Sequence, residues 1–134
     1  MLYLDANIFV YAAINTEQPG DKARSLLRKI HLGEEIAETS ALTFDEVFWS
    51  IKKDNLKMAF SVCEAMLNFP HLEIVPVNRT LALSALKVIR DFHLAPRDAI
   101  HAATAIAGKA ESIVSEDSDF ARVKGIKWQN PFIV

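Results

Sequence analysis

Cysteine, glycine and proline are scarce in this chain, and their scarcity excludes several classes of protein. The 134 residues include one cysteine, four glycines and five prolines. A single Cys63 cannot form an intramolecular disulfide framework or a zinc site built on several cysteines. Its neighbours, "SVCEAML", have the composition of a helix, so we interpret the thiol as a packed side chain and not as a nucleophile. So little glycine and proline also argues against a linker or a low-complexity protein.

The sequence also lacks long apolar runs and an excess of positive charge. No stretch approaches the roughly 18 apolar residues of a membrane-spanning helix, so we expect no membrane association. The N-terminal "MLYLDANIFVYAAI" has no basic leader and is interrupted by Asp5 and Asn7, so we expect a strand and a helix there and a cytoplasmic protein. A net charge of −2 argues against a uniformly basic nucleic-acid-binding surface, but it allows a nuclease that contacts its substrate through bound cations.

Short apolar segments alternate along the chain with segments of helical periodicity, and 51% of the residues are hydrophobic. Strands are predicted for five segments, the second of them short or at a sheet edge: 2–5, 34–40, 72–77, 112–115 and 126–134. Helices are predicted for six segments: 6–14, 21–30, 44–51, 55–69, 78–92 and 94–110. This alternation predicts an α/β fold, a three-layer α/β/α sandwich with a central, mostly parallel sheet, in one domain over residues 1–134.

Two acidic residues come directly after predicted strands. Asp5 ends the first strand, and Asp117 lies just beyond the segment 112–115. Ligands of parallel α/β sheets bind beside the carboxyl ends of the strands, so both acids occupy positions typical of a binding site. Each also has a structural interpretation, Asp5 as the N-cap of the next helix and Asp117, with Asp119, as the cap of a short turn.

Two further acids, Glu46 and Asp98, lie within predicted helices. Glu46 closes the sequence "TFDE", which fits a capping box, and Asp98 follows Pro96 in a first helical turn, where a carboxylate complements the helix dipole. Helical periodicity places both acids opposite the apolar stripes of their helices, facing solvent or a cleft. Each acid taken alone therefore admits a structural role, and its spacing does not choose between the two interpretations.

Four motifs taken together are more informative: "LDANIFVYA", "TSALTFDEVFW", "PRDAIHAATA" and "IVSEDSDF". In this order, and spread over the whole chain, they resemble the motifs of the PIN-domain ribonucleases, and a stand-alone domain of this size is similar to the VapC toxins of toxin–antitoxin pairs. The resemblance implies an endoribonuclease that depends on Mg²⁺ or Mn²⁺. It assigns metal binding and catalysis to four acids: Asp5, Glu46, Asp98 and Asp117. Asp119 matches an additional ligand, and Asn7 and Ser115 match small polar residues that orient the ligands.

The chemistry of phosphodiester hydrolysis is consistent with such a set of acids. Carboxylates carry no positive charge, but they bind hard divalent cations, which activate water and neutralise a phosphate. Without a cation, four like charges in one pocket repel each other, so a purely structural purpose is a poor account of the cluster. The preference for RNA over DNA is implied by the resemblance alone.

The resemblance also implies the partners. They are an RNA substrate, a small VapB-like antitoxin whose extended segment carries an arginine into the acidic pocket, and a second copy of the chain in a homodimer. Two alternatives stay open: an inactive PIN-like RNA-binding or scaffold protein, and a metal-dependent phosphohydrolase. A phosphatase with Asp5 as nucleophile requires a second aspartate two positions later, where this chain has Asn7.

Several other polar and aromatic residues have two interpretations each. His101, three residues after Asp98, either donates a hydrogen bond to that acid or is a half-buried helical histidine. Trp49 either stacks on a base or packs within the fold, and Arg97 or Lys52 could contact phosphate.

Overall fold

The computed structural model describes residues 1–133 and contains five strands, six α-helices and a short 3₁₀-helix at Ser118–Arg122. The strands are β1 (Leu2–Leu4), β2 (Ala37–Ser40), β3 (Leu72–Val75), β4 (Ser112–Val114) and β5 (Lys127–Gln129). The helices are α1 (Ala6–Ile14), α2 (Gln18–His31), α3 (Leu42–Lys52), α4 (Leu56–Leu67), α5 (Arg79–Phe92) and α6 (Pro96–Ala107). None of these helices combines the length and the hydrophobicity needed to cross a bilayer.

The strands form one sheet in the order β3-β2-β1-β4-β5, and every neighbouring pair is parallel. Because side chains alternate across a strand, Leu4 and Val114 face the core shared with α1–α4. Tyr3 and Ile113 face the core shared with α5, α6 and the 3₁₀-helix. The predicted three-layer α/β/α sandwich is therefore confirmed, and the carboxyl ends of β1 and β4 lie side by side at one edge of the sheet.

Several elements differ in extent or position from the sequence-based expectation. Helix α2 begins at Gln18 and includes Pro19 in its first turn. Backbone N–H groups of a first turn have no acceptor within the helix, so the missing N–H of proline loses no hydrogen bond there. Strand β2 is not an edge strand, since it lies between β1 and β3 and all four of its residues are buried. Strand β5 covers only 127–129 of the predicted 126–134, and position 134 lies outside the described residues.

The start of α3 corrects the capping-box interpretation of "TFDE". The helix begins at Leu42, one residue before Thr43, and its N-cap residue makes no side-chain capping bond. The Thr43 hydroxyl lies 2.7 Å from the Thr39 hydroxyl, which donates to the Leu4 carbonyl at 2.7 Å. This chain of hydrogen bonds anchors α3 to β1 and β2, so Glu46 has no capping role and is available for other contacts.

Candidate active site

Asp5 is held by several hydrogen-bond donors at the junction of β1 and α1. Its Oδ1 accepts the backbone N–H of Ala6 at 2.7 Å, which confirms the N-cap interpretation. Its Oδ2 accepts bonds from the Ser115 hydroxyl at 2.6 Å and from the Asn7 side-chain amide at 3.1 Å. These bonds fix the carboxylate in position, and they compensate for its burial, since the residue is only 7% exposed. Capping and membership of a site are compatible roles for this residue.

The loop after β4 connects Asp5 with the acidic turn. Ser115 is fully buried, and its Oγ both donates to Asp5 and accepts the backbone N–H of Asp117 at 3.0 Å. Asp117 Oδ1 in turn accepts the N–H of Asp119 at 2.9 Å, so Asp117 does cap this turn. Asp119 is paired with Arg122 at 2.8 Å, whereas Asp117 has no ion pair within residues 1–133. One carboxylate of this turn is therefore already neutralised by a cationic side chain.

Glu46 contacts a buried histidine that reaches it from the opposite layer of the sandwich. The Nε2 of His101 lies 2.5 Å from Glu46 Oε1 and 3.6 Å from Asp5 Oδ1. The Nδ1 of His101 lies 2.5 Å from the Tyr3 hydroxyl, which accepts the N–H of Ser40 at 3.1 Å. Burial lowers the pKa of His101, but the bond to Glu46 and the charge of Asp5 outweigh it, and the pKa is raised. His101 is therefore not half-buried, and its acidic hydrogen-bond partner is Glu46 and not Asp98.

Asp98, in the first turn of α6, belongs to one of two groups of potential metal ligands. Its carboxylate falls within 4.8 Å of those of Asp117 and Asp119, while Asp5, Glu46 and His101 form a second group of the same dimensions. Burial, followed by the charges of Asp117 and Asp5, raises the pKa of Asp98 to about 6, against the opposing charge of His101. The structure therefore brings the four predicted acids together, although they come from positions far apart in the chain.

Asp5, Glu46 and Asp98 open onto a cleft with a volume of about 710 Å³, whereas Asp117 and Asp119 are not among its lining residues. Its polar wall contains Asp5, Asn7, Glu46, Asp98 and Glu116. The remaining wall is aromatic, aliphatic and basic, and it contains Ala6, Val10, Tyr11, Trp49, Ser50, Lys53 and Arg97. Carboxylate oxygens at this spacing are the donors that hard divalent cations prefer, so the residues fit a site for such a cation.

Residues 2–126 match the family model described as the PIN domain. The chain belongs to the PIN-domain family. The resemblance drawn from its four motifs is thereby confirmed, and the acids described above all lie within the matched residues.

Solved structures with the same fold include several toxin–antitoxin proteins. A toxin–antitoxin complex from Klebsiella pneumoniae aligns over 100% of both chains with 20% identity and a TM-score of 0.71. VapBC2 from Rickettsia felis, bound to a DNA fragment from its promoter, aligns over 97% of this chain and 98% of that one, with 20% identity and a TM-score of 0.76. VapC20 of Mycobacterium tuberculosis, a toxin that cleaves the sarcin–ricin loop, aligns over 90% and 93%, with 13% identity and a TM-score of 0.73. No curated protein sequence matches significantly. The resemblance to VapC toxins therefore holds for the fold.

Sequence reasoning missed the hydrogen bonds that reach Glu46 from behind the PIN-domain cleft. Tyr3 is fully buried in β1 and Ser40 ends β2, and neither has a sequence signal that points to a site. The sequence offered one signal for this network, since His101 follows Asp98 by three residues on the same helix. The ring turns instead towards α3, because α6 packs against β2 and brings His101 between the two layers.

Proposed function

We propose that this PIN domain, extending over residues 1–134, is a metal-dependent endoribonuclease and acts in the cytoplasm as the toxin of a VapBC-type pair. The observation that carries the proposal is the convergence of Asp5, Glu46, Asp98 and Asp117 at the carboxyl edge of the sheet. The family membership and the toxin–antitoxin proteins among its structural neighbours support it.

The proposed ligands of Mg²⁺ or Mn²⁺ are these four carboxylates, with Asp119 as an additional contact. A bound divalent cation supplies an activated water and positive charge for the phosphate and the leaving oxygen. The elevated pKa of Asp98 supports this assignment, because a pocket that disfavours a further negative charge is one in which a cation is stabilising. The Asp119–Arg122 pair makes Asp117 the better ligand of the two.

The other polar residues of the site hold the acids in position. Ser115 and Asn7 both donate to Asp5 Oδ2, and these bonds fix the orientation of its carboxylate. His101 fixes Glu46 through Nε2 and is fixed in turn by Tyr3. Since His101 and Tyr3 are both fully buried in the fold, Glu46 is preorganised before substrate or cation binds.

The test is RNA cleavage by the purified protein with Mg²⁺, with Mn²⁺ and with a chelator. Asp98→Asn is expected to reduce cleavage by at least about 100-fold, because it removes a carboxylate oxygen from the shared site. Asp54→Asn, at an exposed acid outside the cleft, is the matched control and should cleave normally. Calorimetric titration with Mn²⁺ provides a readout that does not depend on turnover.

Two outcomes would favour the alternatives. Cleavage that persists in chelator or in Asp98→Asn contradicts the metal-dependent assignment. A protein that binds RNA but neither cleaves it nor binds a divalent cation is an inactive RNA-binding or scaffold PIN domain. Hydrolysis of small phosphate esters without any RNA cleavage would favour a phosphohydrolase.

The proposed protein partners are a VapB-like antitoxin and a second copy of the chain. The acidic cleft suits an arginine from an antitoxin segment, since the charges are complementary. Phe44 and Phe60 are 42% and 63% exposed, so α3 and α4 offer apolar surface for such contacts. Co-purification with the product of a neighbouring gene, and the mass of the free protein in light scattering, test the two partners separately.

A further inference from the structure

A strip of α3 leads from the acidic site to the outer end of the cleft. Glu46, Trp49, Ser50 and Lys53 all line the cleft, and their spacing places them on one face of the helix. At 1.5 Å per residue, Trp49 lies about 4.5 Å and Lys53 about 10 Å from Glu46 along the helix axis. The strip thus changes from acidic to aromatic to basic as it leaves the site.

Trp49 is exposed to an extent that packing does not explain. Its side chain is 54% exposed, and it belongs to neither hydrophobic core. The Lys52 ammonium lies 3.9 Å from the centre of its ring, a cation–π contact that holds the indole in place and covers one face. The packing interpretation of Trp49 is therefore wrong, and the indole presents an ordered aromatic surface in the cleft.

Two cations of the cleft have no acidic partner. Lys53 and Arg97 are both exposed and, among residues 1–133, neither forms a salt bridge. They lie on different elements, Lys53 at the end of α3 and Arg97 in the first turn of α6 beside Asp98. Unpaired cations that two elements bring to one cleft with acidic residues are suited to contact the phosphates of a nucleic-acid backbone.

We propose that Trp49 stacks on an unpaired base beside the scissile phosphate, while Lys53 and Arg97 contact the flanking phosphates. The contact requires an unpaired base, because bases within an A-form helix are already stacked and cannot offer a face to the indole. This inference rests on the proposed nuclease function and adds a binding determinant to it.

The test measures the binding of fluorescent single-stranded oligoribonucleotides in the Asp98→Asn background, where the RNA stays intact. Trp49→Ala is expected to weaken binding roughly 5- to 100-fold, the range for loss of one base–aromatic stack. Trp49→Phe keeps a stacking surface and should bind within about threefold of the parent. Because it lacks the indole, RNA binding should no longer quench the fluorescence that Trp49 contributes in the parent. Leu83→Ala removes a large exposed side chain of α5, outside the cleft, and should bind normally.

Abasic oligonucleotides locate the base that stacks. A single base is removed at each position in turn. At one position, loss of the base should make the parent bind as weakly as Trp49→Ala, and the two proteins should then have equal affinities. Lys53→Ala should reduce the salt dependence of binding by about one phosphate contact, whereas Lys57→Ala, outside the cleft, should not.

Three results would overturn the inference: binding unchanged in Trp49→Ala, equal losses in Trp49→Ala and Leu83→Ala, or an effect of Trp49→Ala that is the same at every abasic position. The first would show that the indole does not contact the bound RNA. These results leave the nuclease proposal intact, because that proposal is tested by RNA cleavage and by its dependence on Asp98 and on metal.

Discussion

Two buried acids of the central sheet, Asp5 and Glu38, lie in opposite kinds of environment. Asp5 follows the carboxyl end of β1, and its oxygens accept bonds from Ala6, Asn7 and Ser115. Glu38 lies within β2, is 2% exposed, and its Oε1 has no hydrogen-bond partner within residues 1–133. The cost of burying a carboxyl group is met by hydrogen-bond donors in the first case and by a proton in the second.

The surroundings of Glu38 favour the protonated form of its carboxyl group. Burial, followed by the charge of Glu73 on β3, raises its pKa from 4.5 to about 7, and the N-terminal ammonium group of Met1 opposes this only in part. Its carboxyl group also lies at the C-terminal end of α6, where the helix dipole disfavours negative charge. Asp5 therefore has the donors that a buried carboxylate needs, and Glu38 lacks them.

The largest effect is expected from Asp5→Asn. The substitution keeps the size of the side chain and part of its hydrogen bonding, but it removes a carboxylate from the proposed cation site. Cleavage of RNA should fall by at least about 100-fold while the protein stays folded. Activity assays and circular dichroism check the two halves of this statement. If Asp5→Asn still cleaves RNA, the functional distinction between Asp5 and Glu38 is contradicted.

Gly108→Ala tests how tightly Glu38 is enclosed. A Cβ at position 108 would lie 2.3 Å from Glu38 Oε1 and 2.5 Å from Oε2, so the buried carboxyl group would have to move. Since Gly108 has φ −79°, backbone strain plays no part. We expect a loss of about 2–3 kcal/mol in the free energy of unfolding, measured with urea. In a Glu38→Ala background the loss should shrink, and equal losses in both backgrounds would contradict the enclosure.

The pH dependence of stability tests the proton on Glu38. Because its pKa is higher in the folded state than its ordinary value, the stability that the protonated group contributes is complete below about 4.5 and is lost as the pH rises through about 7. Glu38→Gln should therefore match the wild type near pH 5 and exceed it by about 2 kcal/mol near pH 8.5. A difference that is constant over this range would show that the group is not titrating.

The smallest effect is expected from Tyr3→Phe. Loss of the hydroxyl leaves His101 Nδ1 and the Ser40 N–H without their partner, which should cost about 1.5 kcal/mol of stability. Glu46 keeps its bond to His101 but is held less firmly, so kcat for RNA cleavage should fall by about threefold to tenfold with little change in KM. A change in KM alone would mean that Tyr3 affects substrate binding and not the positioning of Glu46.

Local sequence patterns predicted much of the fold correctly. Asn78 was expected to cap a helix, and its side chain accepts the N–H of Leu81 at 2.9 Å. Pro96 opens α6 as expected, and Cys63 is a buried, free thiol. The capping box at Glu46 failed, because α3 begins at Leu42 and the Thr43 hydroxyl bonds to Thr39, which is held by the Leu4 carbonyl of β1. That carbonyl lies far outside a window of a few residues.

The sequence by itself determined the parallel α/β class and the family, because both depend on local periodicity and on the order of four motifs. It also determined which acids are candidates. Only the tertiary structure decided that His101 reaches Glu46, that Glu38 is buried without a partner, and that Trp49 faces the cleft. The physical reason is that these properties depend on the groups that other elements bring near a side chain, and helix and strand periods carry no information about those neighbours.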